Sequence, residues 1–203
     1  VPKLSDQLRA ERRLHILTSA WGCFSRNGFH ATSMDDIITA TGMSSSAVYR
    51  YFRSKDELID AAADEALAAI SALLDKLLAA DPVASPAGTL TALVDEVHAR
   101  EAHADYDLTR IVIQAWGEAL RRPPMEERTR AFYLGVRRQL TELAARWRDA
   151  GFISPDARPE DMANVVMTLM PGLLVNHHLV QEVPVDHLVA GLAAFGGGRP
   201  GQR

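Results

Sequence analysis

One cysteine, Cys23, stands in the whole sequence, so no internal disulfide can form. That usage fits a reducing cytoplasm. No apolar stretch approaches membrane-spanning length, because even 165–180 is interrupted by Pro171, Asn176, His177 and His178. The first residues, VPKLSDQLRAERR, are charged and carry no apolar signal region. The motifs of common chemistry are also missing: there is no HExxH, no CxxC pair, no GxSxG and no phosphate-binding glycine loop. His15 precedes Cys23 by two helical turns, too far for a base to activate a thiol. The glycines at 196–198 have no strand before them. The expectation is a protein with no enzymatic activity, no metal, no resident cofactor and no membrane span. Period-two alternation and internal repeats are absent as well, which excludes most sheet architectures and solenoids.

What is present is a mild charge asymmetry on ordinary globular composition. The formal net charge is −4. Up to Lys55 there are 8 basic and 4 acidic residues, giving +4; the remainder has 14 basic and 22 acidic, giving −8. A basic N-terminal quarter on an acidic body points to an anionic partner at one end.

Almost every segment reads as helix, and the expected class is all-α with about nine helices. Leu14, Leu17, Ala20, Trp21 and Phe24 mark a helix over 8–27, ended by Gly28. Ser33 and Asp36 form a capping-box pair for a helix at 34–41, ended by Gly42. Ser44 or Ser45 can cap a short helix over 45–52, whose Val48 and Phe52 face one way. Ser54 and Glu57 repeat the capping-box spacing at the start of a long helix from Lys55. Further helices are expected at 88–103, 106–121, 125–150, 159–181 and 185–195, with Pro123-Pro124 as punctuation and Pro171-Gly172 as a kink. The tail from about 196 is expected to be disordered.

Two short helices joined by a glycine-containing turn are the plan of a helix-turn-helix. With Val48 and Phe52 anchored inward, Ser45, Ser46, Tyr49 and Arg50 lie away from the anchor. Hydroxyls and guanidinium suit base edges and phosphates, and an aromatic ring suits a thymine methyl or a sugar. Thr32 and Lys55 stand at helix starts, where a side chain and free amides can grip phosphate together.

Residues 13–58 also resemble the N-terminal DNA-binding domain of TetR-type transcriptional regulators. The matching residues are Ile16-Leu17, Ala20, Phe24, Gly28, Thr32-Ser33, Ile37, Gly42, Ser44, VYRYF at 48–52 and SKDEL at 54–58. The resemblance implies a DNA-binding domain at 1–56 and a helical regulatory and dimerisation domain at 57–203. It implies a cytoplasmic homodimer on a near-palindromic double-stranded operator, usually repressing transcription and released by a small molecule. By position, Tyr49, Tyr51 and Lys55 match the family's main phosphate contacts. Thr32 and Ser33 match contacts at the second helix, and Ser45 and Ser46 match the start of the recognition helix, beside Ser44. Many relatives carry Lys-Gly-Thr where this chain has Ser45-Ser46-Ala47, a departure that alters base preference and weakens local charge.

In the body, a ligand cavity between helices would be mostly apolar with a few polar groups. Trp116, Phe132, Tyr133, Met167, Met170, Asn176 and His177 are its candidate lining, with His98 and His103 as further candidates for orienting a ligand. Plain core packing is the competing reading for the apolar members. MANVVMTLMPGLLVNHHLV is apolar on more than one face, which suits a helix packed on its own body and on a partner. The expected twofold contact runs through Val165, Leu169, Leu173 and Leu192. An all-α protein that uses 34–58 for a protein partner is the alternative. Salt separates the two: DNA binding should weaken steeply as salt rises, and an apolar protein contact should not.

Overall fold

The computed structural model describes residues 6–101, 106–180 and 184–197. Among these the regular elements are all α-helices: α1 (Asp6–Ala31), α2 (Met34–Thr41), α3 (Ser45–Tyr49), α4 (Lys55–Ala79), α5 (Pro86–Glu101), α6 (Leu108–Ala119), α7 (Pro123–Asp149), α8 (Pro159–Leu179) and α9 (Val185–Gly197). None is long and apolar enough to cross a membrane. Three of them begin on proline, at Pro86, Pro123 and Pro159. That is where the missing N–H costs nothing and the fixed φ helps. Pro123-Pro124 therefore opens α7 rather than standing before it. The span of α8 is unbroken at Pro171. Residues 196–197, expected to begin a disordered tail, belong to α9; 198–203, like His103 and Lys3, lie outside the described residues.

The chain divides into two compact units. Packing joins 57–69 and 98–129 to the 1–56 segment in the first unit; 70–97 and 130–203 make the second.

The core of the first unit is built from Ile16, Trp21 and Phe24 of α1, Ile37 of α2, Val48 and Phe52, Leu58 and Ile59 of α4, and Leu108 and Ile111 of α6. Trp21 meets Tyr106 edge-on at 5.1 Å, and Phe24 meets Phe29 likewise at 5.0 Å. Leu14, expected in the apolar stripe of α1, is instead 56% exposed. The first turns of α1, up to His15, run past the core, so the helical period continues where there is nothing to pack against. Cys23 is buried, and that burial raises its thiol pKa against the pull of Arg26. It fills space as a small apolar residue would.

The second unit has its own core of Leu74 and Leu77, Leu90 and Leu93, Leu140, Leu143 and Trp147, and Ala163 and Val166. Its 78–84 turn is tied down from α7. Trp147 Nε1 donates to the Ala84 carbonyl at 2.9 Å, and Arg146 donates to the carbonyls of Leu78 and Ala80.

Gly28 is where local geometry is most restrictive. Its φ of 82° and ψ of 164° break α1 before the last residues. That region of backbone space is essentially reserved for glycine. A Cβ there would also come within 3.3 Å of Gln114 Oε1. Gly28→Ala should therefore lower unfolding stability by about 1–3 kcal/mol, measured by denaturant titration. A variant as stable as the parent would mean that the turn adopts another conformation.

Candidate nucleic-acid interface

α2 starts on a complete capping box. Asp36 N–H donates to Ser33 Oγ at 3.1 Å, and Ser33 N–H donates to Asp36 Oδ2 at 2.8 Å. The Ser33 hydroxyl donates to the same carboxylate oxygen at 2.7 Å. The bonds from the Ser33 side chain and backbone hold the Asp36 carboxyl below its ordinary value of 3.8. Gly42 ends the helix in the left-handed conformation, φ 64°, with its N–H on the Thr39 carbonyl at 3.2 Å. Only a residue without a Cβ enters that conformation freely. The turn is also pinned to α1: His15 Nε2 lies 2.9 Å from the Thr41 carbonyl, which accepts from it.

α3 is short, and its register comes from two buried side chains. Val48 and Phe52 are both in the core, as their spacing predicts. Phe52 N–H donates to the Val48 carbonyl at 3.1 Å, so the chain keeps turning after the helix ends at Tyr49. Arg13 of α1 lies over the Phe52 ring at 5.0 Å, a cation–π contact that closes the anchor. With that side fixed inward, Ser45, Ser46, Tyr49 and Arg50 are exposed together. Ser44 holds the N-cap position, where its carbonyl accepts from Ala47 and Val48. Its hydroxyl makes no cap and lies instead 3.3 Å from Ser46 Oγ. The second capping box is half formed. Glu57 N–H donates to Ser54 Oγ at 3.3 Å, but the Glu57 carboxylate reaches back to Arg53 N–H at 2.8 Å.

Three of the sequence candidates stand differently. Thr32 is fully buried, and its hydroxyl donates to the carbonyls of Gly28 at 2.8 Å and Cys23 at 3.3 Å. It closes the end of α1 and offers no hydroxyl to a ligand. Tyr51 is half-buried against the core. Lys55 Nζ donates to the carbonyls of Phe29 and Thr32, each at 2.8 Å. Two of its three donors are thus committed inside the protein. The exposed set is Ser33, Ser44, Ser45, Ser46, Tyr49 and Arg50. It combines hydroxyls, one ring and one cation, a suitable kit for phosphates and base edges.

The ligand candidates do not come together in one unit. Trp116 lies on α6 in the first; the other six belong to the second. There Phe132, Met167 and Met170 pack against the core, and Tyr133 meets Phe132 edge-on at 5.3 Å. Asn176 donates to the Gly172 carbonyl at 2.9 Å. The His177 and His178 rings meet edge-on at 5.0 Å. A groove of about 600 Å³ in this unit is lined by Leu134, Arg137, Arg138, Thr141 and Glu142 of α7 among others, and by none of the candidates. Of the expected dimer contacts, Val165 is exposed and Leu169, Leu173 and Leu192 are half-buried.

Residues 16–62 match the family model described as bacterial regulatory proteins, tetR family. Residues 86–195, more than half of the chain, match that of the BetI-type transcriptional repressor, C-terminal. A relative from Mycobacterium tuberculosis, the HTH-type transcriptional repressor Rv1474c, is 29% identical over 96% of this chain and 89% of its own. The solved structure of Salmonella enterica GusR is 26% identical, with a TM-score of 0.68 over 94% of this chain and 98% of that one. A transcriptional regulator from Saccharomonospora viridis, solved in complex with choline, gives a TM-score of 0.72 at 21% identity, over 92% of this chain and 95% of that one.

Two outcomes separate exposed contacts from internal ones. Arg50→Ala should weaken DNA binding and lower the slope of log affinity against log salt by about one. Thr32→Val should leave that slope unchanged. The capping box gives a pH test. A lowered carboxyl pKa in the folded state stabilises α2 fully above 3.8, and the effect is lost as pH falls through the lower folded value. The protection of amides at the start of α2, measured against the intrinsic exchange rate at each pH, should therefore fall on acidification, and Asp36→Asn should remove that dependence.

Proposed function

This chain belongs to the tetR family of bacterial regulatory proteins, and from that premise we propose that it is a homodimeric repressor of a near-palindromic operator, released by a small molecule. That it is a transcriptional regulator with a helix-turn-helix, and not an enzyme, follows from the family itself. The observation that carries the finer reading is the arrangement at α2, Gly42 and α3. One apolar pair, Val48 and Phe52, is buried while Ser45, Ser46, Tyr49 and Arg50 face outward together. A five-residue helix with that division has its reading side chosen for it by the core. Ser44, Tyr51 and the remaining donor of Lys55 join the same reading as phosphate contacts, while Ser33, whose N–H and O–H both donate to Asp36, stands beside them as the cap of α2. The protein would act in the cytoplasm, where its operator is.

Repression is supported by the Mycobacterium tuberculosis relative, which is named a repressor, and by the match of 86–195. A small-molecule effector is supported by the choline complex of a protein with the same fold. Homodimerisation is supported by apolar exposure on α8: Val165 is 40% exposed, Val175 37% and Leu179 77%. Apolar exposure concentrated on one helix is what a partner surface removes from water. A second copy would meet it with the same face, giving the two half-sites of a palindrome.

Selection of bound duplexes from a random DNA pool, repeated at two salt concentrations, tests this directly. A two-half-site palindrome whose affinity falls steeply with salt is expected. Failure to enrich any sequence from material first unfolded and extracted to remove ligand, then refolded, would move a protein-partner role for 34–58 to the front. For the dimer, Leu173→Arg should sediment as a monomer. If it stays dimeric, the interface lies elsewhere.

A further inference from the structure

Both backbone groups of Phe29 are held by side chains from distant parts of the chain. Its N–H donates to Gln114 Oε1 at 2.8 Å, and its carbonyl accepts from Lys55 Nζ at 2.8 Å. Gln114 also works on the other side of the Gly28 turn. Its Nε2 donates to the Phe24 carbonyl at 3.3 Å and shares that donor group with the Arg110 carbonyl of its own helix, also 3.3 Å. One turn along the same face of α6, Glu118 Oε1 lies 3.1 Å from His30 Nε2, and Arg121 Nη2, just past the end of the helix, lies 3.0 Å from the same atom. α6 thus meets α1 on both sides of its break.

The chemistry of the contact is selective. It needs an acceptor for one backbone N–H and a donor for one backbone carbonyl on a single planar group. A carboxamide has both. A carboxylate supplies acceptors alone, and an aliphatic side chain supplies neither. Gly28 allows the approach, because any Cβ there would meet Gln114 Oε1 at 3.3 Å.

We infer that Gln114 is a positioning residue for DNA binding. It spans the Gly28 turn and so fixes the direction in which the chain leaves α1. That direction sets where the Ser33 cap stands and where α2, Gly42 and α3 present Ser45, Ser46, Tyr49 and Arg50. Gln114 touches no DNA in this role; it acts through the backbone at 24–29. The inference rests on the DNA-binding reading above.

The test uses the full chain, the duplex selected from the random pool and two variants. Gln114→Ala removes the hydrogen bonds to Phe24 and Phe29 and should bind the selected duplex about tenfold more weakly, as loss of one well-placed hydrogen-bonding group allows. Its salt slope and its affinity for random duplex should match the parent, because no phosphate contact is lost, so the ratio of specific to random binding falls. Gln114→Glu keeps an acceptor for Phe29 N–H and should recover part of the loss. A merely structural role would lower the unfolding midpoint and leave that ratio alone. Amide exchange at Phe29 in the unaltered protein is the second measurement, and it holds even if Gln114→Ala fails to fold. Slow exchange supports the clamp; exchange as fast as an exposed amide overturns it. Equal operator affinity in Gln114→Ala and the parent also overturns it, as does a reduced salt slope, which would make Gln114 a direct contact. If the parent itself selects no duplex, the DNA-binding reading fails and this inference with it. If the parent selects one and Gln114→Ala binds it equally well, only this inference fails.

Discussion

The peptide at Gly28 leaves α1 in a conformation open only to glycine, and the helix end it creates has carbonyls and an N–H that the helix cannot satisfy. They are satisfied from three later segments. The Thr32 hydroxyl covers the carbonyls of Cys23 and Gly28, Gln114 covers Phe24 and Phe29, and Lys55 covers Phe29 and Thr32. Buried backbone groups are costly when left unpaired, so this small joint constrains every element that meets it. α2 departs from it, α4 begins on it and α6 lies against it.

From that joint the exposed surface of α3 follows by short steps. Ser33 and Asp36 close the N-terminus of α2, Gly42 turns the chain, and His15 ties the Thr41 carbonyl back to α1. α3 is too short to be stable alone, because a helix this short does not offset the cost of its nucleus. Val48 and Phe52 supply the missing stability by burial, with Arg13 over the Phe52 ring. The exposed side of α3 is thereby free of any structural duty. It carries serines, so its chemistry leans on hydroxyls, Tyr49 and Arg50 rather than on a dense cluster of charge.

Local signals in the sequence located most of this. Capping residues and the two glycines marked the ends of α1 and α2, and the four-residue spacing of Val48 and Phe52 named the inward face of α3. What local signals do not carry is the identity of tertiary partners. Gln114 stands 85 positions from Phe29, and nothing in the spacing of α6 singles it out. Lys55 and Thr32 have the residue types and places of phosphate contacts, yet both turn inward, because the carbonyls at the end of α1 are nearer claims on their donors. Leu14 keeps the helical period of α1 beyond the point where the core stops. The pocket candidates show the same limit: an apolar period marks Phe132, Met167 and Met170 as inward-facing without separating a core from a cavity wall.

We propose that α3 and the start of α2 read DNA from the joint at Gly28. Backbone amide shifts followed by NMR during titration with a selected duplex test it most directly. The largest changes are expected at Ser33 and across Ser44–Arg50, with Phe29 and Gln114 nearly still. Large changes elsewhere, with Ser33 and α3 silent, would contradict it.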